Sequence, residues 1–288
     1  MAMAGVALPK LQTIRLDYHD PGVLVMTFNR PERMNSMVPE SYSEWKQVME
    51  YTRGEPMIRV LVVTGSGRAY SAGQDLSAHA PQTSTASSTA SVNEDIWRRN
   101  EVTRSLTRLL ITSPIPIIAA VNGPAIGYAC TTLALCDLVL SVESAIFRTP
   151  FAELAFCAEG CSSLTFPRIL GPAVANDMIL FGRSVNAREM HQRGFVARLV
   201  ASDDQLLPTA VAVARELAGR SQEAINASRG LIRNQRYIDE LLETNDAEMD
   251  ELYRRMISDD AKQAVAQMFA KLQAKAKKKS VSSSKPKI

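Results

Sequence analysis

The sequence predicts an α/β protein with a helical C-terminal region, and three observations carry that prediction. Strand-like and helical patterns alternate through the first half of the chain. Two of the strand-like runs, "IRVLVVTG" at 58–65 and "IPIIAAVNG" at 115–123, are apolar nearly throughout, as strands buried on both faces of a sheet are. From residue 172 onward the spacing is almost wholly helical.

Taken in order, "TIRLDYH" and "VLVMTF" are extended runs joined through "DPG" at 20–22, which reads as a hairpin turn. "SYSEWKQVMEY" has helical spacing, 58–65 is a buried strand, and "NEDIWRRNEVTRSLTRLLI" is the next helix. The 115–123 strand follows, then a third, "CDLVLS". Strand, helix and strand in this order imply parallel crossovers. Residues 77–93, rich in Ser, Thr and Ala and without apolar periodicity, read as a mobile loop or disordered insert, either a slack surface loop or, following a Gly-containing turn after a strand, a cover over a pocket. Later helices are expected in "PAVANDMILFG", "NAREMHQRG", "DQLLPTAVAVARELAG", "QEAINASRGLIRN" and "YIDELLETNDAEMDELYRRMI". They are too many to wrap one sheet, so part of them should pack on the body or on another subunit.

Composition excludes several classes of function. The chain has 288 residues, 46% hydrophobic and 22% charged, with a formal net charge of +3. Lys271, Lys275, Lys277, Lys278, Lys279, Lys285 and Lys287 crowd the C-terminus, so the remainder is slightly acidic and offers no basic face for nucleic acid. Cys130, Cys136, Cys157 and Cys161 sit in apolar contexts, as reduced thiols do. With His19, His79 and His191 far from Cys157 and Cys161, and no second cysteine pair of matching spacing, no metal site is expected. The N-terminus "MAMAGVALPKLQ" lacks a long apolar or Arg-rich amphipathic stretch, and no run is long and apolar enough to span a bilayer, so a soluble protein is expected.

Three stretches lie just after predicted strands, where an α/β protein places its chemistry. In "GRAYSAGQDL" at 67–76 the small Ala72 and Gly73 let a ligand approach the backbone. In "AVNGPAIGYACTTLALCDL" at 120–138 a strand runs through Gly123 and Pro124 into a helix expected near Gly127, whose first amides have no intrahelical acceptor. Two such amides from separate turns would make an oxyanion hole, although turns of this kind also serve geometry alone. The third stretch holds Glu159, the one charged residue between Leu154 and Pro167. A carboxyl in apolar sequence is either tuned for proton transfer or, ahead of a helix start at "SSLTF" with Ser162 or Ser163 as N-cap, a complement to the helix dipole.

Together, "FNRPERMNSM" (28–37), "YSAGQDL" (70–76), 120–141 and "FRTPFAELAFCAEGCSSLTFPRILG" (147–171) resemble, in order and spacing, the crotonase (enoyl-CoA hydratase/isomerase) superfamily over residues 12–260. The resemblance implies a spiral α/β core of ββα repeats with a C-terminal helical region used in trimerisation. It divides the chain into residues 1–200, the core with an acyl-CoA site, residues 201–275, the helical region, and residues 276–288, a basic tail. It implies that the backbone amides of Ala72 and Tyr128 hold the thioester oxygen, with Ser71, Ala72, Gly73, Gln74, Asp75, Gly127 and Tyr128 binding the substrate and its CoA.

Hydratases of the superfamily use two glutamates, and the corresponding positions here are Thr131 and Phe151. The segment "PFAELAFCAEGCSS" is similar to the peroxisomal Δ3,Δ2-enoyl-CoA isomerase branch, which implies Glu159 as the catalytic residue, shuttling a proton from C2 to C4 of a 3-enoyl-CoA in fatty-acid β-oxidation. No metal or redox cofactor is implied, CoA being part of the substrate, and a homotrimer or a dimer of trimers is. Glu153 reads as a structural acid, and Arg33, beside Glu32, as a residue near the CoA entrance. Pro286-Lys287-Ile288 resembles a loose C-terminal peroxisomal signal, its proline departing from the usual first residue; mitochondrion is the alternative. Another crotonase-fold reaction, hydration or hydrolysis, and a non-catalytic acyl-CoA- or RNA-binding homologue are the competing readings.

Overall fold

The computed structural model describes residues 8–76 and 89–270. The expected hairpin forms from β1 (Ile14–His19) and β2 (Val23–Phe28), antiparallel through the 20–22 turn. Helix α1 (Pro39–Gly54) turns Tyr42, Trp45, Val48 and Met49 inward, and β3 (Val60–Gly65) then pairs parallel to β2. Helix α2 (Thr89–Ile111) and β4 (Ile117–Val121) complete the first crossover. The helix takes in residues 89–93, which the sequence reading gave to a loop; the remainder of that loop, 77–88, lies outside the described residues.

After β4 come β5 (Ala125–Ile126), the single-turn α3 (Tyr128–Thr131), β6 (Leu138–Val142) and β7 (Ile146–Arg148). Next are α4 (Ser162–Leu170), α5 (Pro172–Ile179), β8 (Val185–Asn186), α6 (Ala187–Gln192) and β9 (Arg198–Val200). Helices α7 (Asp203–Ala218), α8 (Gln222–Ile232) and α9 (Gln235–Met256) follow, and a last helix occupies 259–270. The tail from 271, with its lysines and terminal tripeptide, lies outside the described residues.

Six strands form the central sheet in the order β1-β2-β3-β4-β6-β9, parallel except at β1. Strands β2, β3 and β4 are buried almost without interruption, which is why their sequences are apolar on both faces. A second sheet, β5-β7-β8, was not foreseen, because strands of two or three residues are too short to show a period. Its β5 leads directly into the turn at Gly127–Tyr128 and bridges to Ser71, where the turn after β3 begins. Helix α7 packs across the central sheet, while α9 lies along α2. Phe28 from β2, Trp45 from α1 and Tyr128 from α3 stack edge to face, with centroids 5.1 Å and 6.0 Å apart, and Tyr42 meets Tyr128 at 5.5 Å. This aromatic cluster is the floor from which the site rises.

Candidate active site

The motif at 28–37 fixes the first turn. Asn35, at φ 55°, accepts a hydrogen bond from the Arg30 amide at 3.0 Å and donates to the carbonyls of Ser66 at 2.8 Å and Ala69 at 2.7 Å. One short amide thereby joins the segment before α1 to the turn after β3. Asn35→Ala leaves the Arg30 amide and the Ser66 carbonyl without this partner and puts alanine, which tolerates positive φ less well than asparagine, at φ 55°, so it should cost about 2–4 kcal/mol in a denaturant-unfolding measurement. A loss below about 0.5 kcal/mol would show that the turn holds itself.

Ser71 is fully buried; its Oγ donates to the Asn35 carbonyl at 2.7 Å and accepts the Gly73 amide at 3.1 Å. Asp75 is bound by Arg30 Nη1 at 3.2 Å and Ser36 Oγ at 3.0 Å. Both residues brace the turn. At Gly73 a β-carbon would stand 2.6 Å from the Ile126 carbonyl oxygen, so only glycine lets this turn lie against β5.

Peptide geometry then decides which amides face outward. The Ala72 amide donates to the Met34 carbonyl at 2.9 Å, so it is turned toward the first motif and engaged there. This corrects the expectation that Ala72 contributes to the oxyanion hole. The Gly73 carbonyl accepts the Met37 amide at 2.8 Å, and in a trans peptide the next N–H, that of Gln74, points the opposite way. The Gly127 carbonyl accepts from Cys130 and Thr131 inside α3, so the Tyr128 N–H points backward out of that helix. The Tyr128 phenol is buried and shares a hydrogen bond of 2.8 Å with Thr107 on α2, which leaves the backbone as the part of this residue open to chemistry.

A cavity of about 210 Å³ lies beside these turns. Gln74, Asp75 and Glu159 line it together, with Met37 and Tyr42 on one wall, Asn100 and Thr103 from α2 on another, and Leu252 and Met256 from α9 closing it. The structure thus brings Gln74, Asp75 and Glu159 to one space, and places Ser71 and Ala72 behind it. Of the two lining carboxyls, Asp75 is ion-paired with Arg30. The carboxyl of Glu159 accepts no hydrogen bond among the described residues, and burial, reinforced by the neighbouring Glu248 carboxyl, pushes its pKa up to about 8.

Glu248 is the site residue that the sequence reading missed. It comes from α9, is buried, and its two oxygens accept the amides of Cys161 at 2.7 Å and Ser163 at 2.8 Å. The N-cap of α4 is Cys161, at φ 61°, and not Ser162 or Ser163. The capping acid expected of Glu159 is therefore a different residue, and the dipole role that competed with catalysis for Glu159 is already filled. The signal was present in α9: Leu241, Asn245, Glu248, Met249 and Leu252 share one buried stripe, and an acid on such a stripe needs a partner.

Thr131 is fully buried, its Oγ1 donating to the Tyr128 carbonyl at 3.1 Å, and it touches the Glu159 turn closely: a β-carbon on Gly160, at φ 64°, would lie 2.5 Å from that hydroxyl. Phe151 is buried ahead of the short helical turn 152–154. Glu153 pairs with Arg148 and does not line the cavity. Glu32 and Arg33 are exposed on a single turn at 31–33. All four cysteines are free thiols. Among the described residues no group of His, Cys, Asp and Glu is gathered to hold a metal, and no helix is long and apolar enough to cross a membrane.

A largely parallel sheet, two turn amides directed away from their neighbours' hydrogen bonds, and a cavity lined by a Glu159 carboxyl that is unpartnered among the described residues make an arrangement able to serve acid–base chemistry. Residues 19–279 match the family described as enoyl-CoA hydratase/isomerase. The chain belongs to this family, the crotonase superfamily, and its fold is the expected crotonase-like α/β core with a helical C-terminal region. It is 32% identical over 252 residues to enoyl-CoA delta isomerase 2 of Homo sapiens, covering 88% of this chain and 62% of that protein. With peroxisomal enoyl-CoA delta isomerase 3 of Mus musculus it shares 33% identity over 180 residues, 62% of this chain and 55% of the relative. The matches thus span between half and two thirds of these two relatives. The crystal structure of an enoyl-CoA hydratase/isomerase from Pseudoalteromonas atlantica T6c superposes with a TM-score of 0.78 at 30% identity, covering 90% of this chain and 98% of that one.

Proposed function

We propose that the protein is a Δ3,Δ2-enoyl-CoA isomerase of fatty-acid β-oxidation, in which Glu159 alone moves the proton. The observation that carries this reading is the Glu159 carboxyl itself: unpartnered among the described residues, open to the cavity, and raised to about 8. The ionised carboxyl takes a proton from C2 of the 3-enoyl thioester, and the electron pair spreads through the C3–C4 double bond into the thioester carbonyl. The amides of Gln74 and Tyr128 hold the resulting dienolate oxygen, and the same carboxyl, now protonated, returns the proton to C4. No net proton is gained or lost, and no water enters.

Water is the enemy of such a shuttle, because it would exchange the carried proton. The apolar walls from Met37, Tyr42, Leu252 and Met256 support the reading on this point. Thr131 and Phe151 support it on another, since they stand at the two positions where the hydratases of the superfamily have their acids. The reaction calls for no metal or redox cofactor. The exposed Leu180, Phe181, Leu231 and Ile232 support a homotrimer, or a dimer of trimers, that would cover them. The similarity to a peroxisomal isomerase of mouse and the C-terminal Pro-Lys-Ile support a peroxisomal location.

The test is a direct comparison of two substrates. Purified protein should convert a 3-enoyl-CoA to its conjugated trans-2 isomer, followed by the ultraviolet absorbance of the product. It should hydrate a 2-enoyl-CoA at least about 100-fold more slowly, having lost the second acid–base group. Hydration at a comparable rate would assign it to the hydratases, and binding of CoA esters without turnover would make it a non-catalytic homologue.

A further inference from the structure

The 157–163 segment that carries Glu159 is docked on one stretch of α9. Glu248 Oε2 accepts the Cys161 amide at 2.7 Å and Oε1 accepts the Ser163 amide at 2.8 Å, immediately after the Glu159–Gly160 turn. Gly160 and Cys161 are both left-handed, at φ 64° and 61°, a conformation that Cys161 adopts only because its surroundings hold it. The Cys161 thiol donates to the Leu241 carbonyl at 3.3 Å, a second tie between the same two elements. Glu248 is 6% exposed, and among the described residues no cation pairs with it.

We propose that Glu248 is a positioning residue of this site: its carboxylate clamps the two amides that follow the Glu159 turn and keeps a negative charge fixed behind the reactive carboxyl. This rests on the isomerase reading of Glu159. Two carboxyls in one poorly solvated region do not both ionise readily, and the one with more donors keeps the charge. Burial raises the pKa of both carboxyls, but Glu248 is drawn back by its two backbone N–H donors at a helix start, where charge is favoured, and Glu159 has none among the described residues. The proton therefore resides on Glu159 up to a higher pH than burial alone would set, close to where a group that must both take and return a proton works best.

Other titratable or charged groups face this pair from every side. They are Cys157 and Cys161 on the segment, Asp75 on the turn after β3, Tyr42 on α1, Tyr128 on α3, Arg98 and Arg99 at the cavity on α2, and Asp246 and Glu251 on α9. Among all of them, Glu248 is the charge that acts on Glu159 after burial.

The experiment is the pH profile of kcat/KM for 3-enoyl-CoA isomerisation in wild type and Glu248→Gln, which keeps the shape and one acceptor. The limb on which activity rises with pH should move toward acid by about one on the pH scale, with the plateau about tenfold lower. A lower plateau with an unmoved limb would reduce Glu248 to a helix cap and overturn the proposal. A second measurement serves even if that variant does not fold: carboxyl-carbon NMR titration of Glu248 in wild type and Glu159→Gln. Glu248 should ionise at the lower pH, while Glu159 is still protonated and neutral, so its titration should be the same in both proteins; a Glu248 that stays protonated until Glu159 titrates, or that ionises at lower pH once the Glu159 carboxyl is gone, overturns the proposal. Because this titration needs no turnover, failure of the isomerase reading, seen as wild type inert toward 3-enoyl-CoA, remains distinct from failure of the clamp.

Discussion

Glu159→Gln should lower kcat for 3-enoyl-CoA isomerisation by about 10²- to 10⁴-fold while leaving KM within a few fold, because it removes the proton carrier and little else. Glutamine matches the shape of the side chain, and the Glu159 carboxyl makes no hydrogen bond among the described residues whose loss could disturb the turn. The backbone of the turn is held independently, by the Ser162 Oγ donating to the Glu159 carbonyl at 2.8 Å and by Glu248 on the two amides beyond. Asp75, the other carboxyl of the cavity, cannot substitute, since Arg30 and Ser36 engage it as a structural anchor. Residual activity should then come from the oxyanion amides alone. A variant retaining more than about a tenth of the wild-type rate would move the chemistry to another group and remove the basis of the proposed reaction.

The central sheet was legible because its physics is local. Strands β2, β3 and β4 are buried on both faces, and such strands announce themselves as unbroken apolar runs. Glu159 was legible for the converse reason, as a charge where its neighbours admit none. What could not be read is whatever depends on two distant segments meeting. Ala72 and Gln74 are chemically equivalent at the level of sequence, each offering one amide; only the bonds from Ala72 to Met34 and from Met37 to the Gly73 carbonyl decide which of the two is turned inward and which outward. The cap of α4 was assigned to its own serines because capping is usually local, whereas here the acceptor arrives from α9. Glu248 could have been suspected from the stripe of α9, but its partner could not, since nothing in a helical period says which turn it faces.

The same carboxyl that would make the protein active should make it less stable at alkaline pH. Folding raises the pKa of Glu159 from the ordinary 4.5 to about 8, so between these values the folded chain holds a proton that the unfolded chain has released. Stability therefore falls as pH rises through this window: the contribution is intact below about 4.5, declines toward 8, and is constant beyond, where the folded protein carries an ionised Glu159 in a poorly solvated site. A tenfold change in proton affinity corresponds to about 1.4 kcal/mol, and because the carboxyl opens on a cavity the full difference is screened, leaving about 2–3 kcal/mol. Glu159→Gln removes that penalty. Its melting temperature should exceed wild type by about 5 °C at pH 9 and converge with it near pH 4.5. An offset of equal size at both pH values would mean that the glutamine merely packs better, and that the Glu159 carboxyl is not held away from its ordinary ionisation. The pH-dependent offset would instead tie the cost to the charge, as expected of a group kept poorly solvated for proton transfer at the expense of the fold.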